Sequence, residues 1–451
     1  MSESKSSEYL FSKALRIFLI EINGLSESLP VIMKSLTESR HDSEQKINQF
    51  FKEHGELIEK VEEDKNGNKK KAEIYKVSFE YSYDIGKLIR TYSNFSAASS
   101  IISNGLLVMM ISQFDAFLGR LIKAMYYAKP EMLNASEKQL TFANLVQFGS
   151  VEAAREFLLE KEIESVLRES HAEHFEWLEK KLGIPLRKEL DIWTTFIEMT
   201  ERRNLFVHTN GIVSSQYITV CRSHGVAIKE DLVVGKKLHV SEAYLQEAYE
   251  VLFELATKLT HVVWRKLIPS ELSIADTKLN DVCYELLKEE NYSIAKRILS
   301  FAMKLPRYSS QQDKLIFIIN SAIAYKWGGE SERAQKLISE TDWSACNNAF
   351  KLASTVLSDQ FDEAAKIMKT IGNAGEVTKN HYKEWPVFRD FRHSPQFSDT
   401  YREVFGEDFE TVKVSSGSEI DDQDNLSFSV QGDDESLCED FEQLLPNHSS
   451  Q

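Results

Sequence analysis

From Ile101 to Ile122 the chain is at its most apolar, yet Ser103, Asn104, Gly105, Ser112, Gln113, Asp115, Gly119 and Arg120 interrupt the run. A segment so interrupted is a helix buried in protein, not a membrane span. The pattern predicts one long helix from about Ala97 to Tyr127, ending before Pro130. Such a helix needs other helices around it. Shorter ones are expected near Gln139–Phe148, Val151–Ser170, Glu173–Leu182 and Leu186–His208. Ser241 is placed to cap a last helix reaching Lys266, before Pro269. The predicted class is all-α, with minor β-hairpins.

Four regions follow. Residues 1–95 read as an N-terminal helical region in which Leu10, Phe11, Leu15, Phe18 and Leu19 recur at helical spacing. A turn-rich basic loop runs from Asp64 to Lys71, and Ile74 to Tyr81 alternates as a strand does. Lys65, Lys69, Lys70 and Lys71 belong to a solvated loop, with RNA contact as the sharper alternative. Residues 96–267 form the main helical bundle, with a second short hairpin expected around Val226–Ile228 and Lys237–Val240. Residues 270–410 carry an irregular repeat: Ala295 and Ile298, Ala334 and Leu337, Ala364 and Ile367. Turns precede each unit, at Glu290-Asn291, Gly328-Gly329 and Asp359-Gln360. A small Ala lets paired helices approach closely. This resembles degenerate tetratricopeptide repeats, which imply an α-solenoid-like region; an ordinary bundle is the plain alternative. Trp385–Arg392 and Phe397–Phe405 are expected to close it.

The formal net charge is −16, which excludes bulk nucleic-acid binding and leaves only local basic sites. From Val414 to Gln451 there are ten acidic residues and no Lys or Arg. Residues 411–451 are therefore expected to be a disordered, solubilising acidic tail. Cys221, Cys283, Cys346 and Cys438 show neither metal nor redox spacing and read as free thiols. With a polar N-terminus, they lead to the expectation of a cytoplasmic protein outside the membrane.

Chemistry concentrates at Arg203-Asn204-Leu205-Phe206-Val207-His208, near the end of a predicted helix and just before Thr209-Asn210-Gly211. Histidine moves protons near neutral pH, and an arginine fork stabilises added charge on a phosphate. In a helix, Glu201, Asn204 and His208 share a stripe, whereas Arg203 lies about 100° away and reaches it only through its long side chain. The plain alternative is a helix C-terminus in which a cationic His meets the dipole and Asn-Gly forms the cap.

The run Glu201 to Val213, with Tyr217 soon after, resembles the signature of the HEPN family, all-helical domains with a ribonuclease site. The likeness covers roughly Ser96 to Leu267. Gln113 to Leu118 is similar to the family's first core helix, which often carries an acidic residue where Asp115 stands. The resemblance implies metal-independent RNA cleavage by a homodimer, with Arg203, Asn204 and His208 catalytic. Asp115, Glu201 and Arg202 would support them. Arg202 has three candidate partners: Glu198, Asp115 or the phosphate. No metal and no cofactor is expected. His171 and His174 with Glu169 could bind a metal, but their spacing is three, not the four usual for helix zinc pairs, and no third ligand is evident, so a solvated helix face is expected. The leading expectation is a bacterial toxin or anti-phage ribonuclease whose repeats bind a regulatory protein. The rivals are a non-catalytic adaptor that binds RNA or protein, and a peptide-binding scaffold.

Overall fold

The computed structural model describes residues 7–63, 70–134, 140–188 and 190–409. The acidic tail and most of the basic loop lie outside them. The fold is all-α with one two-stranded sheet among the described residues.

Two long helices, α1 (Ser7–His54) and α2 (Ser82–Ala128), pack against each other along their length. Each is about 70 Å long at 1.5 Å per residue. Strands β1 (Gly55–Glu63) and β2 (Lys70–Val77) join them as an antiparallel hairpin. Burial divides the pair. Phe11, Leu15, Phe18 and Ile22 of α1 are buried, as is most of the core face of α2 from Asn104 to Tyr126. Beyond Leu29 and before Asn104 few side chains are buried, so the distal halves project as an arm with the hairpin at its tip.

The expected boundary at residues 95 and 96 lies within a continuous helix, α2, which begins at Ser82, and α1 packs on the same bundle. Helix α2 has the length and composition of a membrane span. From Asn104 to Tyr126 most of its apolar side chains pack instead against α1 and the helices that follow, while Ile101 and Met109 stay exposed.

After the short α3 (Glu131–Asn134), helices α4 (Phe142–Phe148), α5 (Val151–Leu167) and α6 (His171–Leu182) run along one flank. Thr141, Ser150 and Ser170 cap α4, α5 and α6 through their hydroxyls, and Gly149 and Gly183 end α4 and α6 in the left-handed conformation. Helix α7 (Trp193–Thr209) starts later than Leu186, because residues after Pro185 form turns. Helix α8 (Ser215–Ser223) follows at once. The second hairpin is absent from the described residues: 226–240 is a loop with a single bridge, Ile212 to Lys237. Its Val226, Ile228, Leu232 and Leu238 pack on a satellite core of Leu205, Val213, Tyr217 and Cys221. Alternating apolar residues found a helix surface to cover instead of a partner strand. Helix α9 (Glu242–Leu267), capped by Ser241 as expected, contacts α1, α2 and α7.

Three helical hairpins follow: α10 (Leu272–Lys288) with α11 (Tyr292–Met303), α12 (Gln311–Trp327) with α13 (Ser331–Ser339), and α14 (Asn348–Leu357) with α15 (Phe361–Ile371). Each repeat motif is the second helix of a pair. Ala295, Ala334 and Ala364 are all buried. Each intrapair turn holds a left-handed residue, at Glu290, Gly329 and Asp359. The residue after the repeat alanine reaches the next turn twice: Lys296 donates to the Gly328 carbonyl, and Gln335 to that of Leu357. Helices α16 (Lys379–Glu384) and α17 (Pro395–Phe405) close the array around Tyr382, Phe388, Phe391, Phe397 and Tyr401. One continuous core runs from Phe11 to Tyr401.

Candidate functional site

Helix α7 presents the motif, and its two arginines do different things. Arg202 is bound inward. It forms an ion pair with Glu198 at 2.7 Å, and its guanidinium lies 4.2 Å from the centre of the Tyr244 ring. The Tyr217 and Tyr244 hydroxyls both donate to the same carboxylate. Burial opposes the charge of Arg202, but Tyr244, Glu198 and Tyr217 together raise its pKa. Burial first, and then Glu198, push both tyrosines up, so they stay protonated donors. This cluster ties α7 to α8 and α9. Of the three partners left open by the sequence, the structure selects Glu198. The Glu198–Arg202 spacing signalled it; Tyr244, 46 positions from Glu198, had no sequence signal.

Arg203 turns the other way. Its Nη1 donates to Asn204 Oδ1 at 3.1 Å, so the side chain does reach the stripe from its offset position. Its Nε is buried without a partner. Asn204 Nδ2 in turn donates to Glu201 Oε1 at 3.5 Å, a weak bond. Burial raises the pKa of Glu201, an effect the nearby His171 and the Asn204 bond only partly oppose. Glu201 has no ion pair among the described residues. His208 lies one turn beyond Asn204, is exposed, and has no hydrogen bond or ion pair among the described residues.

The end of α7 is built tightly. Asn210 is left-handed at φ 52°, and Gly211 follows at φ 82°. Gly211 N donates to the Leu205 carbonyl, and Leu238 N to that of Gly211. Val213 exchanges bonds with Lys236 and Gly235. Val207, Ile212, Val233 and Val234 are exposed apolar residues on α7 and the two loop segments held beside its end.

Asp115 lies with other partners. It accepts from His171 Nε2 at 2.8 Å across α2 and α6. The expectation of a solvated face at His171 and His174 is overturned: His174 is 2% exposed and His171 9%. Glu169, the third member considered from sequence, is exposed and outside this group.

A cleft of about 980 Å³ lies elsewhere, between α9, residues 185–192 and the helices α11 to α13. Its Lys258, Lys296 and Arg297 are already paired with Glu254, Glu330 and Glu250. No family model, curated protein or solved structure matches the chain.

Proposed function

We propose that the chain is a metal-independent endoribonuclease of the HEPN type, a cytoplasmic bacterial toxin or anti-phage effector acting as a homodimer. One observation carries this reading: Arg203 is folded onto Asn204, with an exposed His208, unpartnered among the described residues, one turn further along the same face. Arg202 is excluded from direct RNA contact by Glu198 and Tyr244 and serves to hold α7 in place.

The chemistry follows from those groups. The ribose 2′-OH attacks the adjacent phosphorus, and His208 takes its proton. Arg203 stabilises the pentavalent phosphorane, while Asn204 fixes the guanidinium. The P–O5′ bond breaks, and a proton returned through histidine goes to the leaving oxygen. The products are a 2′,3′-cyclic phosphate and a 5′-OH. DNA lacks the nucleophile. The exposed Val207, Ile212, Val233 and Val234 flank the motif and suit a two-fold contact that brings two copies together.

The test is cleavage of single-stranded RNA with EDTA in the assay. Wild type is expected to leave cyclic-phosphate ends, and His208→Ala and Arg203→Ala to lose most activity with little change in melting temperature. Equal activity in wild type and His208→Ala removes the proposal. The second reading is a non-catalytic adaptor, favoured by the projecting arm and by the repeat-like helical hairpins, which we read as tetratricopeptide-like. It predicts binding of RNA or a regulatory protein with no cleavage by any variant.

A further inference from the structure

We propose that Asp115, His171 and His174 form a binding site for one divalent transition metal of the zinc class, joining α2 to α6. The reading is independent of whether the chain cuts RNA. One ligand atom from each of the three side chains lies within 4.8 Å of the other two. In a tetrahedral zinc site, metal–ligand bonds of about 2.0 Å place donor atoms roughly 3.3 Å apart. The Asp115–His171 contact, 2.8 Å, is already shorter than this, and no two of the three donor atoms are more than 4.8 Å apart.

His174 supplies the independent observation. It is 98% buried, and neither ring nitrogen has a hydrogen-bond partner among the described residues. The Val166 and Glu169 carbonyls approach the ring and favour a proton on it, but neither makes a properly formed hydrogen bond. Buried imidazoles are ordinarily satisfied on at least one nitrogen. A metal-bound histidine commonly directs its second nitrogen at a backbone carbonyl while the first faces the ion. The surroundings here allow that arrangement.

Charge is also suitable. The N-terminus of α6, where His171 is the first residue, works against a cation. Glu173 offsets it, its carboxylate accepting from both the Ser170 amide and hydroxyl. Asp115 brings a negative charge from α2. Glu201, half-buried, without an ion pair among the described residues and close enough to feel the His171 ring, is a second carboxylate that a nearby dication stabilises. Three protein ligands leave a fourth position for water or an added anion.

The full chain, stripped with a chelating resin, is titrated with Zn²⁺ and separately with Co²⁺. Wild type is expected to retain one metal per chain after desalting, to melt at higher temperature when loaded, and to give the Co²⁺ visible spectrum of a four-coordinate nitrogen–oxygen site. Asp115→Asn and His174→Phe are expected to weaken binding by at least about 100-fold, more than the loss of an outer-shell partner. Asp115→Asn keeps the shape of the carboxylate and decides the matter alone if His174→Phe does not fold. Absence of stoichiometric metal in wild type overturns the site. So does equal retention by a folded Asp115→Asn chain, which places the metal elsewhere.

Discussion

Adjacent arginines on one helix face opposite fates, and this is measurable. Arg202 and Glu198 are 17% and 13% exposed, and the pair anchors two tyrosines. Arg202→Met is expected to cost about 3 kcal/mol in urea unfolding, because it leaves a desolvated carboxylate without its cation. Arg203→Ala is expected to stay within about 1 kcal/mol of wild type, since its one bond is to a neighbouring amide. Equal costs for the two changes would contradict this division of labour. A second residue-scale outcome concerns His261, fully buried in α9 with both nitrogens unpartnered. Burial, aided by Arg265, lowers its pKa from 6.5 to about 3. The folded chain therefore holds it neutral where the unfolded chain protonates it. Its contribution to stability is complete above pH 6.5 and is lost as pH falls towards 3, at up to about 1.4 kcal/mol per pH unit. Stability measured against pH is expected to fall less steeply in His261→Leu across that window. The motif was legible in the sequence because its residues lie within one helical turn or two. The Asp115–His171–His174 group was not, because Asp115 is 56 positions from His171 and only the packing of α6 on the bundle unites them.

At the scale of elements, local chemistry decided what could be read. The three repeat units were visible because a left-handed turn residue and a close-packing alanine are local requirements, repeated at each hairpin. The helix cap at Ser241 is legible for the same reason, whereas Ser170, expected at the end of one helix, caps the start of the next. The loop at 226–240 misled, since period-two alternation does not say whether the apolar side meets a strand or a helix. The extent of α2 was missed although Ile85, Leu88, Ile89, Tyr92 and Phe95 recur at helical spacing, because that stretch is largely exposed and few of its side chains join the core. Gly211 gives a test of the segment after the motif. A Cβ there lies 2.8 Å from the Phe206 ring and 2.9 Å from the Leu238 carbonyl, at a φ of 82°. Gly211→Ala is expected to cost about 2 kcal/mol and to reduce RNA cleavage by displacing the end of α7. Unchanged stability and activity would show that the loop, not the glycine, absorbs the strain.

At the scale of the whole molecule, bundle and hairpin array share one core, tied by Arg265 to Asp276 at 2.7 Å and by Arg297 to Glu250 and Glu254. The proposed composite site requires two chains. Light scattering at micromolar concentration is expected to give a dimer or larger even assembly, and Val207→Glu with Ile212→Glu to give monomers that cleave poorly. A strict wild-type monomer with full activity would refute a shared site. The long α1 has a further consequence during synthesis. Its buried face, Phe11 to Leu29, is completed by α9, which begins at Glu242. Translation at about 5–20 residues per second puts roughly 10–40 s between the two. Helix α2 emerges first and pairs with α1, leaving an apolar groove open at the ribosome until α9 arrives. The nascent chain thus passes this interval as a two-helix hairpin, the form that any holding chaperone at the ribosome meets.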